Sequence, residues 1–326
     1  MQKVIPIKVQ KTIPMMHKFI EWKIHNVCNH DCSFCDIRHK DGSQRWFSLE
    51  QYKDYTDKLV EACEGKPFWI QITGGEPTLY PQLIELITYM KQKGAFISLI
   101  SNGTRTLRWW KELKAAKVLD YLFITYHSEM TTDYKHVADI LNLFIDEPTE
   151  TIGLITHVKN TVDLAFEAQD YLIKNTGAII TLKAMVVGEY NIYDYYTDSQ
   201  LQYLKENNWT MGEKNDFKVK SNIPIYHKIN HTLKVTYSDN TKVNIDPQLL
   251  MKNQENTFEG WMCKIGDHNM RIDHDVIYRG VCEVGGSTSL KDDKLYFRND
   301  FVKCTSIECF CGTDMIAEKI RITEDK

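Results

Sequence analysis

No stretch of the 326 residues approaches the roughly 20 consecutive apolar side chains that would span a bilayer, and none carries a long run of one charge. The start, MQKVIPIKVQKTIPMMHKF, also lacks a continuous apolar run of signal-peptide length. These absences lead us to expect a soluble, cytoplasmic protein with no membrane partner. Forty basic against forty-four acidic side chains leave a net charge of -4, which argues against a large nucleic-acid footprint but leaves room for a local basic groove. The sequence has no internal repeat and no low-complexity tract, and cysteine is missing altogether from 64 to 262.

What is present is uneven. Of nine cysteines, three fall in 28 to 35, one is Cys63 and five fall between 263 and 311. An odd, clustered set fits metal ligation in a reducing compartment better than a disulfide framework. The 43% hydrophobic content supplies a sizeable core, and the length fits one large unit with a small appendage.

Short apolar, β-branched runs alternate with amphipathic ones from 19 to about 187. The pattern predicts strands at FIEWKI, FWIQIT, AFISLI, YLFITY, TIGLITHV and AIITLKAMVV, with helices near 48 to 64, 81 to 93, 106 to 116, 133 to 146 and 161 to 175. Such alternation implies an α/β fold with a parallel sheet. Ser48 reads as a helix cap with Glu50 and Gln51 in the first turn, and Gly65 and Gly94 follow helix ends. Residues 190 to 226, rich in Tyr, Asn, Asp and Lys, mark the boundary between units at 1 to 205 and 206 to 326. Beyond it, LKVTYSDNTKVNI predicts a hairpin, and the cysteine-bearing remainder is poor enough in apolar core to need a staple such as a metal site.

Cys28, Cys32 and Cys35 form a CxxxCxxC just after the first predicted strand. By composition alone such spacing would arise roughly once in a hundred and fifty chains like this one. Thiolates suit zinc and iron-sulfur clusters, both of which take four ligands when closed. Three cysteines therefore leave one position open for chemistry, unless His25, His30 or His39 completes a zinc knuckle.

CxxxCxxC with Phe34 immediately before the third cysteine resembles the hallmark of the radical S-adenosylmethionine superfamily. The resemblance implies a partial (β/α)6 TIM-like barrel with a small cysteine-bearing C-terminal extension. It also implies a 4Fe-4S cluster on Cys28, Cys32 and Cys35, whose fourth iron is chelated by S-adenosyl-L-methionine. Electron transfer would then cleave the sulfonium to methionine and a 5'-deoxyadenosyl radical, which abstracts hydrogen from an unreactive carbon. An external donor such as flavodoxin or ferredoxin would supply the electron.

Further motifs follow on the next strands. Gly74, Gly75, Glu76 and Pro77 end the second strand and resemble the family's GGEP motif, whose backbone and Glu meet the cofactor's amino group. Without the cysteines they would read as a plain turn. Ser101 and Asn102 end the third strand, where relatives contact the cofactor's ribose or carboxylate; Asn102-Gly103 is also an ordinary turn pair. Thr125, His127 and Ser128 end the fourth strand, with His127 a candidate cofactor or substrate contact or a proton donor. Lys183 lies at the sixth strand. Cys63 reads as a buried apolar residue.

Cys263, Cys282, Cys304, Cys309 and Cys311 resemble the C-terminal auxiliary-cluster extensions called SPASM and twitch domains. The full SPASM pattern has seven cysteines, the usual Gly five residues before the second is here Ile277, and the later spacing is shorter. One auxiliary 4Fe-4S cluster is expected, with Cys263 and Cys282 among its ligands and the rest from Cys304, Cys309 and Cys311. A structural zinc site is the alternative.

The resemblance points to radical modification of a peptide or other small polar substrate, by crosslinking, oxidation or epimerisation. Only 27 residues precede Cys28, fewer than a separate peptide-binding domain needs. A nucleotide, nucleic-acid base or cofactor precursor is a second substrate class, with Trp and Tyr residues available to stack on bases. A zinc-stabilised binding protein without catalysis is the reading from another class.

Overall fold

The computed structural model describes residues 5–12, 17–146, 148–183, 186–187, 191–192, 196–207, 232–245, 250, 255–280, 282–309 and 312–322. Strand β1 (Pro6–Lys11) precedes a parallel series of strands and helices: β2 (Lys18–Lys23), α1 (Leu49–Ala62), β3 (Phe68–Thr73), α2 (Leu83–Gln92), β4 (Phe96–Ser101), α3 (Leu107–Ala116), β5 (Tyr121–His127), α4 (Tyr134–Phe144), β6 (Glu150–Thr156), α5 (Val162–Asn175) and β7 (Ile179–Lys183). Strands β2 to β7 pair in chain order, each parallel to the next, so their C-terminal ends share one rim. The expected strands and helices are therefore present, and the sheet is open rather than closed.

Helix α1 shows why these segments fold locally. Ser48 accepts from the Gln51 backbone N–H while the Gln51 side chain accepts from the Ser48 N–H, a reciprocal cap. Leu49, Tyr52, Tyr55, Thr56, Leu59 and Ala62 recur at helical spacing and face the core, and Gly65 leaves the helix at φ +72°. At the opposite rim from the strand C-termini, Phe19, Trp69 and Tyr121 are buried together with Phe96 and Phe123 packed against them, and the Trp69 indole donates to Ser98 Oγ at 2.8 Å.

After β8 (Val186–Val187) and β9 (Asn191–Ile192), which pair with each other, comes α6 (Asp198–Asn207). This helix lies in the polar segment read as an interdomain boundary, yet Tyr196 and Leu204 join the large core. The expected hairpin is β10 (Leu233–Tyr237) with β11 (Lys242–Ile245). Then follow β12 (Met262–Cys263), β13 (Asn269–Asp273), β14 (Val276–Tyr278), β15 (Ser287–Ser289), β16 (Val302–Lys303), α7 (Gly312–Met315) and β17 (Lys319–Ile320).

The two halves of the chain exchange strands. β1 enters a six-stranded sheet, ordered β11-β10-β1-β17-β12-β16, around a second core holding Val9, Val235, Phe258, Trp261, Cys263 and Cys304. In return β13 pairs in parallel with β2, Asn269 against Phe19, and brings β14 and β15 onto the large sheet. The turn between β13 and β14 reaches the rim of the strand C-termini. There His274, at φ +59°, donates from its backbone N–H to the Lys23 carbonyl at 2.9 Å and from Nε2 to the Arg45 carbonyl at 2.7 Å, and stacks on Phe47 at 4.1 Å.

Candidate active site

The loop that follows β2 carries the three cysteines, and the ends of β3, β4 and β5 face it. Cys28, Cys32, Phe34, Cys35, Gly74, Gly75, Glu76, Ser101, Asn102, Thr125 and His127 line one cavity of about 130 Å³, so most of the residues singled out in the sequence meet there. Pro77 and Ser128 are buried outside the lining, Pro77 opening a 3-10 turn and Ser128 bonding the Thr156 carbonyl. Lys183 is the last residue of β7, and Cys311 lies outside the described residues. Cys63 sits in the large core, as expected.

Gly74 and Gly75 are required by the chain itself. A Cβ on Gly74 would stand 2.6 Å from the His25 carbonyl oxygen, and one on Gly75 2.4 Å from that of Val27. The close approach allows Gly75 N–H to donate to His25 O at 2.9 Å and Glu76 N–H to Val27 O at 2.8 Å, which fixes the stem of the cysteine loop. Asn29 then ties the loop to β4, accepting from the Asn102 amide at 3.0 Å and donating to Thr104 Oγ1 at 2.8 Å, while Ser33 N–H donates to Glu129 at 2.9 Å.

Glu76 is 1% exposed and organises the strand ends around it. Its Oε1 accepts from Thr78 N–H at 3.0 Å, Thr78 Oγ1 at 2.6 Å and Ser101 Oγ at 2.8 Å; its Oε2 accepts from Asn102 N–H at 2.6 Å. Burial pushes the carboxyl up from its ordinary value, and these bonds from Thr78, Asn102 and Ser101 pull against it. Glu76→Gln must turn its amide –NH₂ toward a donor in either orientation. We expect a loss of about 1–3 kcal/mol, read as a lower unfolding midpoint, against about 1 kcal/mol for Ser101→Ala.

Burial also disfavours the thiolates. It raises Cys28 and Cys35 and pushes Cys32 up to about 12, with the neighbouring thiols adding to the effect. Thiols held neutral by burial in this way ionise when a metal supplies positive charge. Two polar groups that belong to no sequence motif assist: Lys40 Nζ donates to the Cys32 carbonyl at 2.7 Å, and Thr156 Oγ1 is hydrogen-bonded to His127 Nδ1 at 2.7 Å. Burial holds His127 down to about 4, so its imidazole is neutral at pH 7. Among the described residues, the one set of three or more His, Cys, Asp or Glu ligand atoms within 4.8 Å of one another is His30, Cys32 and His127. The three loop thiols are thus spread more widely than sulfurs bound at about 2.3 Å to one zinc, which sit about 3.8 Å apart. Their number, chemistry and spacing fit a multi-iron cluster.

The C-terminal thiols gather in the second core. Cys263 and Cys304 are buried there, and Cys282 and Cys309 pack against them. Cys263 stands opposite Lys319 in the β12–β17 pair. Lys319 is 1% exposed, with Nζ donating to the carbonyls of Asp314 at 2.6 Å and of Met315 and Ala317 at 3.1 Å. Its charge lowers Cys263 and Cys309 against the larger upward push of burial. Because Cys263 and Cys282 flank the open end of the β13–β14 hairpin, this site lies at the far end of β13 from the cysteine loop, roughly 13 Å along the strand.

An open parallel α/β sheet with a three-cysteine loop at the strand C-termini defines the class of scaffold. Residues 22–188 match the model of the Radical SAM superfamily, and the chain belongs to that family. Members of that family are enzymes that use a 4Fe-4S cluster and S-adenosylmethionine. Over 119 residues it is 31% identical to a "Probable GTP 3',8-cyclase" of Saccharolobus islandicus, covering 35% of this chain and 36% of that protein. The chain thus spans about a third of the length of the curated relatives it matches. Among solved structures it resembles native anSMEcpe with bound AdoMet and Kp18Cys peptide, with a TM-score of 0.51 and 14% identity over 86% of this chain and 79% of the other. It is also similar to Streptococcus suis SuiB, with a TM-score of 0.50 and 14% identity over 84% of this chain and 64% of that one. No described helix is long and apolar enough to cross a membrane.

Proposed function

We propose that the chain cleaves S-adenosylmethionine reductively at a cluster held by Cys28, Cys32 and Cys35, and uses the resulting radical to modify a peptide. The observation that carries the first part is the convergence of all three thiols with the Glu76-centred strand ends on one cavity. When bound, the cluster supplies one electron to the sulfonium. The protein's own residues hold and orient. Oε2 of Glu76, engaged by Asn102 N–H alone among the described groups, retains acceptor capacity for the cofactor's ammonium. The ends of β3 and β4, with Gly74, Gly75, Ser101 and Asn102, form the wall for the cofactor's methionine and ribose. Phe34 and His127, stacked at 5.6 Å, close the side next to β5.

Cys263, Cys282, Cys304 and Cys309 form the ligand set of an auxiliary 4Fe-4S cluster in this reading. With four cysteine ligands and a place remote from the cavity, it relays electrons or staples the second core. Support for a peptide substrate is architectural, since the likeness to anSMEcpe solved with a peptide runs through most of the chain. The cyclase likeness favours a nucleotide but covers only about a third of it.

Anaerobic purification tests the cofactor assignment. About eight iron and eight sulfide per chain are expected, four of each for either cluster; a colourless protein loaded with zinc would overturn it. Formation of 5'-deoxyadenosine stimulated by peptides and not by GTP supports the substrate reading, and the reverse result selects the nucleotide.

Lys319 gives a separate check. A buried ammonium stabilises the extra electron of a reduced cluster, so Lys319→Met should move the auxiliary midpoint potential to more negative values. The expected size is on the order of one decade in equilibrium constant, about 59 mV for a one-electron couple. An unchanged potential in redox titration would place that cluster elsewhere.

A further inference from the structure

The cavity contains a second set of ligand atoms besides the three thiols. One ring nitrogen each of His30 and His127 lies with Cys32 Sγ in a group whose members are all within 4.8 Å of one another. His30 and Cys32 come from the loop after β2, and His127 is the last residue of β5. The His127 ring is held in place. Thr156 Oγ1 bonds its Nδ1 at 2.7 Å, Phe34 stacks on it at an interplanar angle of 26°, and His30 meets it edge-on at 84°. His30 Nδ1 is buried with no hydrogen-bond partner. A buried acceptor or donor left in that state is unfavourable until a ligand takes it up.

We propose that His30, Cys32 and His127 form a site for a single borderline-soft divalent ion such as zinc, occupied when the iron-sulfur cluster is not assembled. Two imidazole nitrogens and one thiolate are zinc ligands, and three protein ligands leave the fourth position of a tetrahedron to water. Thr156 supplies the outer partner that fixes the ring of a metal-binding histidine. Binding takes the Cys32 thiol to thiolate, so one proton leaves per ion bound. Cys28 and Cys35 are not needed. The ion and the cluster exclude each other because both require Cys32, and this exclusion rests on the cluster assignment made under Proposed function.

The sequence motif alone suggests a different ligand set for such an ion. A zinc knuckle completed by one histidine would use all three cysteines. The arrangement here uses one cysteine, and its third ligand lies 95 positions further along the chain than Cys32, at His127.

The test uses the full chain, stripped of metal under reducing anaerobic conditions and titrated with Co(II) alone, followed by its ligand-field spectrum. The C-terminal thiols also bind cobalt, so the reading is a difference between variants. His30→Ala and His127→Ala are each expected to bind one ion fewer per chain than the unsubstituted protein, and Cys28→Ser the same number. Thr156→Val should keep the ion with an affinity lowered by roughly 10–100-fold. Reconstitution with iron and sulfide should give the mirror image, with both histidine variants assembling the loop cluster and Cys28→Ser failing to. Zinc added first should block assembly in the unsubstituted chain and not in His30→Ala. Equal cobalt binding by the histidine variants overturns the proposal, as does loss of the ion in Cys28→Ser, which would put it on the three cysteines. Should His127→Ala fail to fold, His30→Ala, on a half-buried loop position, decides the matter. Normal cluster assembly in Cys28→Ser would instead count against the cluster ligands, so the two failures are told apart.

Discussion

Cys32→Ala will lose about four irons per chain and will form no more 5'-deoxyadenosine than cluster-free protein. Of the three loop cysteines Cys32 is the most enclosed, at 5% exposure. Its carbonyl accepts from Lys40 Nζ at 2.7 Å and from Cys35 N–H at 3.1 Å, so the backbone beneath the thiol is held. Two thiolates cannot retain a cluster that needs three, and without it the sulfonium has no electron source. The auxiliary iron should remain, so the sample stays brown while cleavage disappears. Cys63→Ala is the matched control: its thiol is buried in the large core, away from both cysteine sites, and both iron and cleavage should be kept. Full iron with undiminished cleavage in Cys32→Ala would refute the ligand assignment.

The second large effect is expected at Gly75, from geometry alone. A methyl group there would meet Val27 O at 2.4 Å, Val27 C at 2.6 Å and Asn26 C at 2.8 Å. All three are backbone atoms, so no side chain can turn aside. The strand end must move away from the loop stem, stretching the bonds from Gly75 to His25 and from Glu76 to Val27. Overpacking of this kind costs about 3 kcal/mol or more. For a chain of this order that is a fall of roughly 6–12 °C in the unfolding midpoint, together with weaker binding of S-adenosylmethionine. Gly42→Ala provides the contrast. Gly42 is left-handed at φ +71° with open space around its missing Cβ, so only the backbone preference of about 1–2 kcal/mol is at stake. Equal melting of the two variants would show that the close approach at Gly75 is not rigid.

Much of this was legible in the sequence because local pattern and global fold agree. FWIQIT and YLFITY read as strands since both faces of a parallel sheet are covered, and Ser48 with Gln51 marks the start of α1 because the cap is made within one turn. The cysteine spacing and the two glycines drew attention to the cavity. Their sequence did not say that Gly74 and Gly75 make room for residues 25 to 27, a contact between segments that no short motif encodes. β1 and the partnership of β13 with β2 were illegible for the same reason. NMRID is short, carries two charges and acquires its place only from the edge of β2. Helix α6 lay hidden in a polar stretch because its burial rests on Leu204 and the preceding Tyr196, not on a broad apolar face. Lys319 and Thr156 are single polar residues with no pattern around them, and only the fold sets them beside Cys263 and His127.

The exchange of strands between the halves sets a timetable for biosynthesis. Val9 of β1 pairs with Val235 and with Lys319, whose codon is read some three hundred residues later. At about 5–20 residues per second, the ribosome takes roughly 15 to 60 seconds to deliver that last partner. Until β10 and then β17 arrive beside the first strand, and β13 beside the outer edge of β2, these strands wait with open hydrogen-bonding groups, when sticking to other nascent chains is most dangerous. The alternation of Ile7 and Val9 with Lys8 and Gln10, followed by Lys11, keeps the waiting strand polar enough to stay solvated until its neighbours emerge.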